Sequence, residues 1–174
     1  QTLTISKADI TATAEDKSRA YGAANPTFTA TYSGLMNGET TPSTPPTLAS
    51  TAVATTAPGG VPITCTANTD TNYNITTCNA GTLTITKADI TATAEDKSCA
   101  YGAANPTATF TYSDGATGID TPPTATFSGN ASSAAGSAQT ISCTGGSDDN
   151  YNITSCVTGT LTISKADITA TAED

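Results

Sequence analysis

The chain repeats itself. Thr2–Ser18, TLTISKADITATAEDKS, recurs as TLTITKADITATAEDKS at Thr82–Ser98 and returns from Thr160 to Asp174. The lysine of the Lys-Ala-Asp triplet stands at 7, 87 and 165, giving periods of 80 and 78 residues. YGAANPT follows at Tyr21 and Tyr101, and NYNIT at Asn72 and Asn150. Self-similarity at a fixed period marks a tandem architecture. The expected division is residues 1–7, a last strand of a preceding module; 8–86, module one; 87–164, module two; and 165–174, the first strand of a following module. A chain that begins and ends inside one repeated segment reads as a window of about two periods from a longer array.

Within the repeat, Leu3 and Ile5 alternate with Thr2, Thr4 and Ser6, and Ile10, Ala12 and Ala14 alternate with Thr11 and Thr13. Both are period-two patterns of half-buried strands. The phase switches across Lys7-Ala8-Asp9, as expected where one module's last strand hands over to the next module's first without a flexible linker. Further strands are expected at 27–32, 47–55, 61–65 and 74–78, and at 107–112, 124–128, 139–143 and 152–156. Turn signals separate them, among them Asn37-Gly38, Pro58-Gly59-Gly60 and Asp114-Gly115. No segment keeps helical periodicity over ten residues. The fold class expected is all-β, in tandem small antiparallel Ig-like β-sandwich modules.

Composition excludes more chemistry than it suggests. Thr and Ala supply 69 of 174 residues and Trp is absent, so no large aromatic core can form. Six Lys and Arg against fifteen Asp and Glu leave a net charge of -9, which repels phosphate backbones and anionic lipid; nucleic acid is not an expected partner. With no histidine, the commonest general base and every Ser-His or Cys-His nucleophile are missing, and no enzymatic activity, cofactor or metal is expected. No apolar run approaches the roughly 18 to 20 residues of a membrane span, so no membrane insertion is expected.

Cys65 and Cys78 are 13 apart, as are Cys143 and Cys156 at the matching place in the second module. Equal spacing in both copies points to two intramodular disulfides, each joining neighbouring strands across the turn that holds Asn72-Tyr73-Asn74 or Asn150-Tyr151-Asn152. Zinc would call for CxxC pairs or histidine. Bridges imply an oxidising compartment, and the protein is expected to be extracellular or on a cell surface. Cys99, the odd cysteine, stands where module one has Arg19; the exchange suggests an exposed position and makes Cys99 the candidate for an intermolecular or intermodular bond, while the bland alternative, which stands ahead, is a buried and inert thiol.

GTLTITKADITATAEDKS, then YGAANP, a turn-rich middle and DxNYNIT before the next GTLTI, resembles the MBG-type Ig-like repeat of large bacterial surface proteins and adhesins. The resemblance covers essentially the whole chain as two copies with flanking pieces. It implies β-sandwich modules strung into extracellular stalks or fibres, with no catalytic residues to carry over. The cysteine pairs and Cys99 are not part of that pattern.

Other candidates have bland competitors. Asn68, Asp70, Asn72 and Asn74, with Asp148, Asp149, Asn150 and Asn152, place oxygens where calcium would want them, but turn formation explains them as well. Glu15-Asp16 and Glu95-Asp96 offer a second such cluster or solvated strand ends. Tyr21, Tyr73, Tyr101 and Tyr151 are expected to pack in cores or edges, with Tyr73 and Tyr151 covering the bridges. Asn74, Asn130 and Asn152 open Asn-x-Ser/Thr acceptor triplets for glycosylation, with Asn130 the most accessible. Lys7, Lys87 and Lys165 would need burial beside an amide and an acid to form isopeptides. The function expected is structural, a rigid stalk or filament whose partners are neighbouring modules or other copies of itself. The alternative is an adhesin segment that binds a surface or glycan ligand through its loops, in particular the differing stretches 34–46 and 114–123.

Overall fold

The computed structural model describes residues 1–172. The chain divides into two compact units between Ala88 and Asp89. In the first, the alternating segments form β1 (Ala8–Ala14), β2 (Lys17–Ala20), β3 (Ala30–Ser33), β4 (Thr47–Ala49), β5 (Gly59–Thr66), β6 (Tyr73–Asn79) and β7 (Gly81–Thr86). One sheet has the order β3-β1-β6, the other β2-β7-β5-β4.

The second set is β8 (Ala88–Ala94), β9 (Lys97–Ala100), β10 (Phe110–Tyr112), β11 (Thr124–Phe127), β12 (Ala138–Thr144), β13 (Tyr151–Val157) and β14 (Gly159–Ser164), with one 3-10 turn at Ser113–Gly115. Its sheets repeat the order, β10-β8-β13 and β11-β12-β14-β9. The all-β reading holds, and only Lys87 separates β7 from β8.

The sheets are mixed rather than purely antiparallel. β1 pairs with β3 antiparallel but with β6 parallel, and β2 pairs with β7 parallel. The period-two pattern could not reveal this, because alternation reports which face is buried and not which way the neighbour runs. Several strands are shorter than expected: β3 begins at Ala30 rather than Thr27, and β4 ends at Ala49 rather than Thr55.

The core lies where the two sheets face each other. Ala14 of β1 meets Ile63 of β5 and Leu83 and Ile85 of β7, with Tyr21, Phe28 and Leu48 packed against them. Ile10, Ala12, Tyr73 and Ile75 form a second cluster, against which Tyr32, Cys65 and Cys78 pack. Module two repeats the first with Ala94, Ile141, Leu161 and Ile163. The interior is small and aliphatic, as the Thr- and Ala-rich composition requires.

Partner strands, and not sequence alone, decide burial here. Leu3 and Ile5 are 85 % and 86 % exposed and Gln1–Lys7 joins no ladder, whereas Leu83 and Ile85 in the same TLTI sequence are buried. Likewise Ile168 is 93 % exposed where its counterparts Ile10 and Ile90 are in the core.

Candidate functional site

In module one the first and last strands run parallel through both sheets, and in module two β9 and β14 pair parallel while β13 lies beside β8. β1 and β2 are separated by Glu15-Asp16, and β6 and β7 by Ala80. Each pair of segments is a single extended run that starts in one sheet and finishes in the other. The two runs cross together. Ala8 to Thr13 pair along Tyr73 to Asn79, with a bulge between Ile10 and Thr11, and Lys17 to Ala20 pair along Leu83 to Thr86.

At the crossing the backbones nearly touch. A Cβ on Gly81 would lie 2.7 Å from the Ala14 carbonyl oxygen, and one on Gly159 would lie 2.5 Å from that of Ala94. Asp16 Oδ1 accepts the Thr82 N–H at 2.7 Å, and Asp96 Oδ1 accepts the Thr160 N–H at 2.7 Å. Glu15 accepts the Thr29 hydroxyl and pairs with Lys17 at 3.0 Å. Those contacts, the Thr29 hydroxyl first and Lys17 second, hold the Glu15 carboxyl below the usual range; Thr109 and Lys97 do the same for Glu95. The Glu-Asp pairs, at the partly exposed junction between two strands, are therefore the fastening of a corner. Gly81 and Asp16 carried one signal in the sequence, their identity in both copies.

Both expected disulfides are present. Cys65 on β5 bonds Cys78 on β6, and Cys143 on β12 bonds Cys156 on β13, with Cα atoms 5.4 and 5.8 Å apart. They do not join ladder neighbours across a turn, as the spacing suggested. β5 and β6 lie in opposite sheets, because the intervening loop carries the chain over the edge of the sandwich. Each bridge therefore ties one sheet to the other, and Tyr73 packs in the same cluster as the first of them.

That loop is organised by Asp70, which is only 2 % exposed. Its carboxylate accepts the Ser43 hydroxyl and the Thr44 N–H, each at 2.7 Å, and the Asn72 and Tyr73 N–H groups at 2.8 and 3.0 Å. The Ser43 hydroxyl above all, helped by the three amides and opposed by burial, lowers its pKa from 3.8 to about 2. Asp148 takes the corresponding place, accepting the Asn150 and Tyr151 N–H groups at 2.7 and 3.0 Å. Asn68 donates to the Pro45 carbonyl at 2.7 Å. These bonds are those of the turn reading.

The end of β2 is a turn built on Tyr21-Gly22-Ala23. Tyr21 N–H donates to Thr86 O at 2.8 Å and Gly22, at φ +80°, donates to Ala54 O at 3.0 Å. Tyr101 and Gly102, at φ +85°, repeat this on Ser164 O and Ala131 O. A residue with a Cβ is strained at such φ, so glycine is the natural occupant.

A family model described as MBG domain (YGX type) matches residues 10–84 and again 90–162. The chain belongs to that family. No curated protein and no solved structure matches it. The Tyr-Gly-x of the description is the turn that ends the parallel pair in each MBG module.

The two MBG modules differ beside that turn. Arg19, 7 % exposed, donates from Nε to Asn25 Oδ1 at 2.7 Å, from Nη1 to Ala20 O at 3.0 Å and from Nη2 to Val53 O at 2.6 Å. Asn25 in turn donates to Ala52 O at 2.7 Å. In module two Asn105 still donates to Gly129 O at 2.9 Å, but with Cys99 in place of the arginine its Oδ1 is buried without a partner. The exposed position expected from the Arg/Cys exchange is not found: Arg19 is buried, and Cys99 is a free, half-buried thiol packed against the module's core. One residue cannot show from sequence that its aliphatic stem and charge both have partners inside.

The remaining candidates are dispersed over the MBG modules. Asn74 and Asn152 are exposed on β6 and β13, but their amide nitrogens donate to Asp9 at 3.0 Å and Asp89 at 2.9 Å. Asn130 is exposed in a turn, where its Oδ1 accepts the Ser132 N–H at 2.9 Å. Lys7 donates to the backbone oxygen of Asp70, and Lys87 and Lys165 are exposed, so the buried lysine an isopeptide needs is not found at these three. Tyr101 is half exposed, against the expectation of packing. Beside the β3 and β4 edges of module one lies an open cleft of about 500 Å³ lined by Phe28, Tyr32, Pro45, Pro46 and Leu48. Module two has a counterpart of about 440 Å³ with Phe110, Tyr112, Pro122 and Pro123.

Proposed function

We propose that these MBG modules are structural spacers of an extracellular surface protein, strung end to end into a rigid stalk or filament. The observation that carries this reading is the parallel pairing of first and last strands. Because β2 continues β1 and β7 runs beside it in the same direction, the chain enters a module at one end and leaves it at the other. A module with antiparallel terminal strands would return the chain to the end where it entered. One intervening residue, Lys87, leaves no length for a flexible tether. The disulfides fit secretion into an oxidising compartment, and the family is one of non-catalytic repeats, so no reaction is proposed.

Negative-stain electron microscopy of this chain and of longer arrays of it tests the reading. Particles should lengthen by roughly 30 to 40 Å per module, the length of strands at about 3.3 Å per residue. Arrays whose length does not grow with module number would sink it. Non-reducing electrophoresis alongside shows whether Cys99 links chains. A second reading, ligand binding by an adhesin segment, is favoured by the aromatic and proline-lined cleft present in both modules. A selective hit on a glycan array, lost in Tyr32→Ala with Tyr112→Ala, would support it; no selective hit leaves the spacer.

A further inference from the structure

We propose that the parallel terminal-strand pair is a load-bearing clamp, so that each module resists tension applied along the chain. This rests on the spacer reading, since only a spacer is pulled from both ends. Tension enters module one through Ala8 and leaves through Thr86. Residues 8–20 are then drawn one way and residues 73–86 the other, while the two runs lie side by side along their length. Sliding them apart requires the ladder bonds to break together, because each is loaded across its length. Peeling from one end would break them in turn. The crossing adds a ratchet: the Ala14 and Glu15 carbonyls sit directly over Gly81, and Asp16 holds Thr82, so the runs interlock at mid-length. The Cys65–Cys78 bridge anchors the last run to β5 of the opposite sheet, so it cannot be stripped away as far as Cys78. Module two has the same parts in Gly159, Asp96 and Cys143–Cys156. The first run, 8–20, differs from 88–100 only at Arg19/Cys99, whereas 34–46 and 114–123, which lie outside the clamp, diverge.

Single-molecule force spectroscopy on the full 174-residue chain tests this. In a Cys99→Ser background with native disulfides, one handle is attached at the N-terminus. The other is placed either at the C-terminus or at an introduced Thr71→Cys. Thr71 precedes β6 at the end where β1 begins, so the second geometry peels the same strands that the first shears. The expected result is a several-fold higher rupture force in shear than in peeling. Each shear event should release about 40 Å more length after reduction, from the 13-residue disulfide spacing at roughly 3.3 to 3.6 Å per residue. Equal forces in the two geometries would overturn the clamp. So would an early low-force step in the shear geometry, before the main rupture, in which residues 8–20 come away alone. Rods in the microscope with low shear force would keep the spacer and remove the clamp; high shear force in arrays that do not lengthen would do the reverse.

Discussion

Asp16 accepts the backbone N–H of Thr82 at 2.7 Å, fastening the corner where the module's first strand passes from one sheet to the other to the corresponding point of its last strand. The residue before Thr82 is Gly81, and the residues before Asp16 are Ala14 and Glu15, whose carbonyls face it. A sandwich whose terminal strands cross sheets together needs two things there: close backbone approach, and a partner for the amide that the ladder leaves behind at the crossing.

Gly81→Ala should therefore cost more than an ordinary surface substitution. Its Cβ would stand 2.7 Å and 3.0 Å from main-chain oxygens, which cannot swing aside as a flexible side chain would. The expected loss is about 1 to 3 kcal/mol, the range for overpacking, measured by urea unfolding. Gly38→Ala, at φ +75° with open space around it, serves as a comparison that isolates backbone strain, about 1 to 2 kcal/mol. A Gly81→Ala chain with wild-type stability would mean that the corner is loose.

Acid should loosen module one through Asp70. The folded-state pKa of about 2 lies below the ordinary 3.8, so the carboxylate's contribution is fully present above about pH 4 and is lost as pH falls toward 2. Glu15 and Glu95, also lowered, act in the same direction. Melting temperature should hold steady down to about pH 4 and then drop. In Asp70→Asn the level should be lower at neutral pH and the acid slope shallower. An unchanged slope would place the acid sensitivity elsewhere.

Module two should gain stability from Cys99→Arg. Arg19 satisfies Asn25 Oδ1 in module one, while the equivalent Asn105 Oδ1 is buried and unpaired. An unsatisfied buried acceptor costs about 1 to 3 kcal/mol, so restoring its donor should recover on the order of 1 kcal/mol. The reverse change, Arg19→Cys, should cost about 2 to 3 kcal/mol, because a charged donor with three acceptors is lost. Calorimetry of single and double variants would check both signs. A destabilising Cys99→Arg would show that the second module had repacked around the smaller side chain.

Strands, module period and bridge pairing were legible because each leaves a local trace: alternation at Ile10-Ala12-Ala14, repetition of Lys7 at Lys87, equal spacing of the cysteines. Direction left none. The pairing of Ala8 with Tyr73 spans most of a module, and nothing in either residue says whether the strands run together or apart. Exposure at single sites was illegible for the same reason, since Arg19 looks like a surface residue until Asn25 and Val53 are brought to it. That Glu15-Asp16 sit at strand ends was legible, but not that they fasten a corner, because their acceptors serve Thr29 and Thr82, both remote in sequence.

Reducing the bridges should weaken each module without dissolving its sheets. The ladders that flank Cys65 and Cys78 are made with other strands, β5 with β4 and β7 and β6 with β1, so no backbone pairing depends on the disulfide. What is lost is the constraint on the unfolded chain, about 3 kcal/mol for a loop of this length, together with the tie between sheets beside Tyr73. Urea unfolding with and without thiol should show the midpoint falling while circular dichroism of the reduced native state stays β-rich. Cys65→Ala with Cys78→Ala should reproduce the effect for module one and leave the second bridge in place. A reduced chain unfolded in water would mean that the small aliphatic interior cannot hold two sheets together unaided.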